Sequence, residues 1–210
     1  MNEGMETRMF LGAVESRASE DGNKITIVGR PIVFDQAADI GGWWEESIAP
    51  GAIKEETLRD VRLLINHDFS QLPLARSRRN TQNSTMRLSI TDFDVAMEAD
   101  LDASNPRAIE TDSAVKRGDV TGMSFAFHVD GDEWTDIDTD YPKRRITSID
   151  EIFEVSICTF PAYEGTAVAS RSLESGKKSL ADARSALESA RKKQSKITEL
   201  NTRLKEINHE

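Results

Sequence analysis

Three histidines and one cysteine are all the imidazole and thiol chemistry in this chain of 210 residues, so the search for a reactive group narrows quickly. Among the serines, one is set apart by its neighbours. In Gly118-Asp119-Val120-Thr121-Gly122-Met123-Ser124-Phe125-Ala126-Phe127 a turn signal leads into a strand pattern, and successive strand side chains point to opposite faces. Ser124 therefore shares a face with Gly122 and Ala126, while Met123, Phe125 and Phe127 share the other. A hydroxyl flanked by two very small residues has open space above it, where a substrate can approach. The same pattern also fits a small-residue face packed against another element.

A serine hydroxyl is a poor nucleophile until a base accepts its proton, and the base needs a third group to orient it. His209 belongs to a charged terminal helix. His128 lies on the face of Ser124 but four positions on, roughly 13 Å along a strand, too far for direct proton transfer. His67 ends a different strand and meets Ser124 only through the fold; by elimination it is the base candidate. Cys158 sits in the apolar run Val155 to Phe160 and reads as a buried small hydrophobe. No pair of residues has zinc-ligand spacing. Asp136, Asp138 and Asp140 superficially resemble a calcium loop, but they lack the glycine and terminal glutamate of the helix–loop–helix motif, so a solvated acidic loop is expected. No cofactor is implied.

Positioning these groups falls to a chain dominated by strand patterns. Met9–Arg17 and Lys24–Arg30, either side of Asp21-Gly22, form an expected hairpin, extended by Pro31–Asp35. Gly41-Gly42-Trp43-Trp44 reads as a loop and Lys54–Asp60 as a short helix. Val61–Asp68 is a strand whose polar end, Asn66-His67-Asp68, emerges at a surface or site. Pro73–Ser77 is a short extended piece, and Met86–Ile90 and Phe93–Leu101 are alternating strands. Ser104 or Asn105 caps a helix with Pro106 in its first turn, ending at Gly118. Lys143–Ile149 and Ile152–Phe160 are strands, and Pro161 stops the second. From about Ser175 the composition changes: glycine and proline vanish after Gly176, and aromatics vanish too. Leu180, Ala183, Leu187 and Ala190, then Ile197, Leu200, Leu204 and Ile207, mark a charged amphipathic helix, and its two weak half-stripes favour a partner or a second copy.

The bounds agree. At 38 % apolar, 30 % charged and a net charge of −10, the chain has the composition of an acidic globular protein and lacks the basic face that nucleic acid demands. No apolar run reaches the ~18–20 residues of a membrane span, and the acidic start Met1–Glu6 is unlike a signal peptide. One unpaired cysteine accords with synthesis in a cytosol.

Five stretches together resemble the prohead (procapsid) maturation proteases of tailed phages, relatives of the herpesvirus assemblins. They are Gly29–Asp35, Ile48–Ile53, Leu63–Asp68, Gly122–Phe127 and Glu154–Ala162, and the resemblance covers roughly residues 10 to 170. It implies a mainly β fold with flanking helices (α+β), an assemblin-like β-barrel over 1–172, followed by a helical tail over 173–210. It further implies a serine endopeptidase, with His67 as base and Ser124 as nucleophile. The assemblins use a second histidine on a late strand; here Glu154 stands in the matching motif, with Glu151 as the alternative third member and Ser156 as a rival nucleophile. Lys143, Arg144, Arg145 and Arg171 are candidate oxyanion donors. Expected substrates are capsid protein and scaffold segments, and the chain itself, inside an assembling procapsid in the bacterial host cytoplasm. The tail would be a tether or self-associating segment, cut at exposed bonds near Ser170 to Lys178. The alternative is an inactive barrel that acts in capsid assembly through its helix.

Overall fold

A computed structural model describes residues 5–11, 14–18, 24–79, 81–159 and 167–207. Two sheets carry the fold. Sheet A joins β1 (Met5–Leu11), β10 (Gly122–Thr135), β11 (Lys143–Cys158), β5 (Trp44–Ile48) and β4 (Ala38–Ile40) in that order, with β6 (Val61–Ile65) and β7 (Ala75–Ser77) branching from β11. Sheet B has the order β2 (Val14–Ala18), β3 (Lys24–Val33), β9 (Asp94–Asp102), β8 (Met86–Ile90). Helix α1 (Pro106–Arg117) delivers the chain to β10, and α2 (Ala167–Ile207) follows β11.

The mainly β, two-helix organisation matches the sequence reading, but the barrel does not. Both described sheets are open. The 16-residue β11 pairs in parallel first with β5 and then with β6, so its neighbour changes along its length and the sheet splits instead of closing. Alternation decides what each face does. Met123, Phe125, Phe127, Val155 and Ile157 are buried in one core with Ile27, Ile32, Leu88, Met97 and Leu101 of sheet B, and the rings of Phe125 and Phe127 stack at 4.5 Å. The opposite face of β10 and β11 holds Ser124, Ala126, Glu154 and Ser156, all buried.

Local signals held at α1. Asn105 Oδ1 accepts the Arg107 N–H at 3.0 Å and Gly118 closes the helix at φ 74°, where a residue without Cβ carries no penalty. Tertiary bonds overrode local preference elsewhere. Residues 54–60 form turns, not a helix, because their polar groups are taken by β11: Thr57 Oγ1 donates to Ile149 O and Thr57 O accepts from Ile152 N. The expected single strand Met9–Arg17 is two, β1 in sheet A and β2 in sheet B, whereas the two strands expected after Lys143 are one. Trp43 is 52 % exposed, but Trp44 begins β5 and is fully buried. Hairpin β2–β3 pairs as anticipated; its turn at Asp21-Gly22 lies outside the described residues, as do His209 and the side chain of Arg171.

Helix α2 begins before the anticipated boundary. The stretch 170–178 is helical, with Ser172 and Gly176 buried and Glu174 and Lys178 exposed. A Cβ at Gly176 would lie 2.4 Å from the Trp44 ring. The first apolar stripe turns to its own chain: Ala183, Leu187 and Ala190 line a 770 Å³ groove against Trp134 and Ile137. In the second stripe Ile197 and Leu200 are exposed. No helix among the described residues is long and apolar enough to cross a membrane.

Candidate active site

The site is built where three strands end together. β10 and β11 run antiparallel with Ser124 opposite Ser156 and Ala126 opposite Glu154. β6 joins β11 on its other side, and its last pair is Ile65 with Ile157. The next two residues, Asn66 and His67, have φ of 52° and 57°, a left-handed conformation that costs about 1–2 kcal/mol per non-glycine residue. Asn tolerates it best. The conformation is held by Asn66 N donating to Ile157 O at 3.0 Å and by the Asn66 Oδ1, which accepts from Thr159 N at 2.9 Å and Thr159 Oγ1 at 3.1 Å. The double left-handed step folds the imidazole back over β11.

There His67 Nδ1 lies 2.6 Å from Glu154 Oε1, and Nε2 lies 2.7 Å from Ser124 Oγ. Glu154 is wholly buried and the His67 side chain is 15 % exposed. Ser156 sits behind this pair. Its hydroxyl donates to Glu154 Oε2 and accepts the His67 backbone N–H, the latter at 3.1 Å. Ser156 thus ties the carboxylate to the base-bearing turn and does not face Nε2. Glu151 is exposed and opposite His128; the fold brings Glu154, and not Glu151, to the imidazole.

Ser124 Oγ also donates to the Arg8 carbonyl of β1 at 2.7 Å. The hydroxyl has one proton and two acceptors of near-equal distance, Arg8 O and His67 Nε2. Which of them receives it follows from the charge on His67. Burial draws the imidazole pKa down, but the Cys158 sulfur and the Glu154 carboxylate oppose this, and the net shift is upward to about 10. An imidazolium donates through Nε2 to Ser124 Oγ, which then donates to Arg8 O. A neutral imidazole with its proton on Nδ1 leaves Nε2 free to accept from Ser124.

Cys158 was expected to be a plain buried hydrophobe. It is buried, but its Sγ lies 4.0 Å from His67 Nε2. The missed signal is the alternation Glu154, Ser156, Cys158, which puts all three on one face of β11. The basic run proposed for an oxyanion is committed elsewhere. Lys143 pairs with Glu45 at 3.6 Å, Arg145 with Asp35 at 2.7 Å, and Arg144 with Glu6, Glu46 and Asp132. His128 packs edge-on against Phe153 with its Nε2 buried and unpaired. In the acidic loop Asp138 pairs with Arg191 at 2.7 Å, and no cluster of metal-ligating side chains occurs among the described residues.

A second buried cluster lies against β1. The Arg8 guanidinium donates to Glu6 at 2.6 Å and to both carboxylate oxygens of Glu46. Arg144 bridges Glu6 at 2.8 Å, Glu46 at 3.0 Å and Asp132 at 2.7 Å. Burial pushes the Glu46 carboxyl up, yet the charge and hydrogen bonds of Arg8, then Arg144, hold it below its ordinary value.

A buried carboxylate–imidazole–hydroxyl relay on strands is the arrangement of a serine hydrolase. Comparison with known proteins gives the family: residues 13–179 match the model of the caudovirus prohead serine proteases, and the chain belongs to that family. It is 27 % identical over 171 residues to the prohead protease of Enterobacteria phage HK97, a match that spans 80 % of this chain and 69 % of the relative. No solved structure matches.

Proposed function

We propose that the chain is a serine endopeptidase that processes scaffold and capsid proteins, and itself, inside an assembling phage procapsid. The observation that carries the reading is the relay from Glu154 through His67 to Ser124, with links of 2.6 and 2.7 Å, in a chain of the prohead serine protease family. Neutral His67 takes the proton of Ser124 at Nε2 as Oγ bonds to the peptide carbonyl carbon. Glu154 fixes the proton on Nδ1 and stabilises the imidazolium that forms. The imidazolium then protonates the leaving amine, and water, deprotonated by the same nitrogen, releases the acyl group from Ser124. Ser156 contributes by holding the second oxygen of Glu154.

The test is a time course of intact mass for the wild type and Ser124→Ala, alone and with capsid protein co-expressed. The wild type is expected to shorten itself and to cut the capsid protein. Ser124→Ala is expected to stay whole, since losing a nucleophile of this kind lowers turnover by on the order of a millionfold. Equal masses for both proteins at all times would remove the endopeptidase reading.

A further inference from the structure

The nucleophile is covered by the chain's own first strand. Ser124 is 1 % exposed, and β1 pairs antiparallel with β10 through seven residue pairs, Met5 with His128 to Leu11 with Gly122. That stretch of β10 is the one that carries Ser124. Grooves of 450 and 770 Å³ among the described residues lie over β2, β3, β8 and β9 and beneath α2, and neither is lined by His67, Ser124 or Glu154. A peptide bond to be cut must bring its carbonyl carbon to about 3–3.5 Å from Oγ. The backbone that reaches Ser124 is that of Arg8, whose carbonyl offers its oxygen to the hydroxyl proton instead of its carbon to Oγ.

We propose that the edge of β10 beside Ser124 is the substrate seat, filled by an extended peptide of about seven residues added as an antiparallel strand, and that β1 is the internal occupant it replaces. This rests on the endopeptidase reading and goes beyond it. Strand addition gives an extended peptide backbone hydrogen bonds along its whole length, and Gly122 and Ala126 flank Ser124 with little bulk.

β1 is suited to leave. It is the edge of sheet A, so its departure breaks one ladder. On its outward side the Thr7 N–H is capped by the Ser172 hydroxyl of α2 at 2.8 Å, with the two side-chain hydroxyls 3.4 Å apart. Two of its buried anchors, Glu6 and Arg8, are charged, so on leaving they regain the hydration that burial removes, while Arg144 keeps Glu46 and Asp132 as partners. β1 also lies ahead of the stretch that matches the family, which starts at residue 13. While β1 is seated, Arg8 O competes with His67 for the Ser124 proton, so vacating the seat exposes the hydroxyl and frees that proton together.

A disulfide tests the seat. Because the Thr7 N–H points away from β10, Thr7 and Ala126 form a non-hydrogen-bonded pair, with Cα atoms about 4.5 Å apart, within disulfide range. Full-length Thr7→Cys/Ala126→Cys is compared oxidised and reduced with a fluorophosphonate probe, which bonds to a reactive serine with loss of fluoride. The oxidised form is expected to label at least tenfold more slowly than the reduced form, with dithiothreitol restoring the rate. Glu6→Gln, which loosens β1, is expected to label several-fold faster than wild type, and the peptide Met-Glu-Thr-Arg-Met-Phe-Leu at millimolar concentration is expected to slow it again at least threefold. Equal labelling of oxidised and reduced forms, or no effect of the peptide on Glu6→Gln, overturns the seat while leaving the serine enzyme standing. Should both disulfide forms stay silent, Glu6→Gln decides alone, and labelling no faster than wild type overturns the seat. No labelling of wild type, Glu6→Gln or the reduced pair removes the reactive serine itself, and the seat with it.

Discussion

Two buried polar clusters share strands β10 and β11 and differ in one respect, the mobility of a proton. Around Arg144, two guanidiniums face Glu6, Glu46 and the half-covered Asp132. Arginine keeps its protons at any ordinary pH, so this cluster stores charge and fixes geometry but transfers nothing. Around His67, a carboxylate, an imidazole and a hydroxyl are linked in line, and the central group, unlike a guanidinium, can give up and take back a proton, with its pKa raised to about 10. Burial and hydrogen bonding are alike in the two. What separates a strut from a reaction centre is a titratable member with a nucleophile on its far side.

Three substitutions sharpen that contrast. Glu154→Gln has the largest expected effect: an amide cannot stabilise the imidazolium, and the rate of cleavage or of fluorophosphonate labelling should fall on the order of 10³–10⁴-fold. Its pH dependence should move too. With His67 raised to about 10, the neutral base of the wild type accumulates as pH climbs toward 10. Without the Glu154 charge the inflection should retreat toward the ordinary value of His, about 6.5. An unmoved inflection would disconnect Glu154 from the base.

The same shift makes a statement about stability. A raised folded-state pKa means that the charged imidazole is stabilised by the fold. The contribution is fully present below pH about 6.5 and is lost as pH rises through about 10.

Next in size, Arg144→Met leaves Glu6 and Glu46 with one guanidinium between them. Removing one partner of a buried ion pair costs about 3–5 kcal/mol, to be read as a lowered urea midpoint. The inflection of the pH–rate profile should stay where it is, since the proton relay is intact; a displaced inflection would merge the two clusters into one. Ser156→Ala should give the smallest change. Losing one buried hydrogen-bond partner costs about 1–3 kcal/mol, a rate loss of about 5- to 150-fold. The expected signature is a displaced inflection with unchanged substrate affinity, measured as a kcat effect without a KM effect.

Period-two alternation was enough to put Ser124 on a face of its own and to put Met123, Phe125 and Phe127 in the core. The polar end of the Val61–Asp68 run marked His67. The pairing of Ser124 with Ser156, which carries Glu154 to the imidazole, was invisible, because register between distant strands is set by the whole fold and not by spacing within either one. The burial of the β1 charges was equally illegible. Glu6 and Arg8 look solvated one residue at a time, and only the partners Glu46 and Arg144, 38 and 138 positions away, make their burial tolerable. Residues 54–60 show the same lesson for backbone: helix formers without a breaker still yield to hydrogen bonds offered by a neighbouring strand.

The course of α2 has a consequence for reaction order. The helix is pinned by Ser172 to Thr7, by Ser179 to Trp134 and by Arg184 to Ile137, so it travels along β10 away from Ser124. Trp134 is ten residues beyond Ser124, about 33 Å along the strand. The exposed run 188–201 of the helix adds about 20 Å more. A bond in that distal rod is out of range of its own nucleophile for as long as the helix stays docked. Under the proposed endopeptidase function, cutting such a bond requires a second copy, so its rate is expected to climb with protein concentration, whereas a cut within one copy would not.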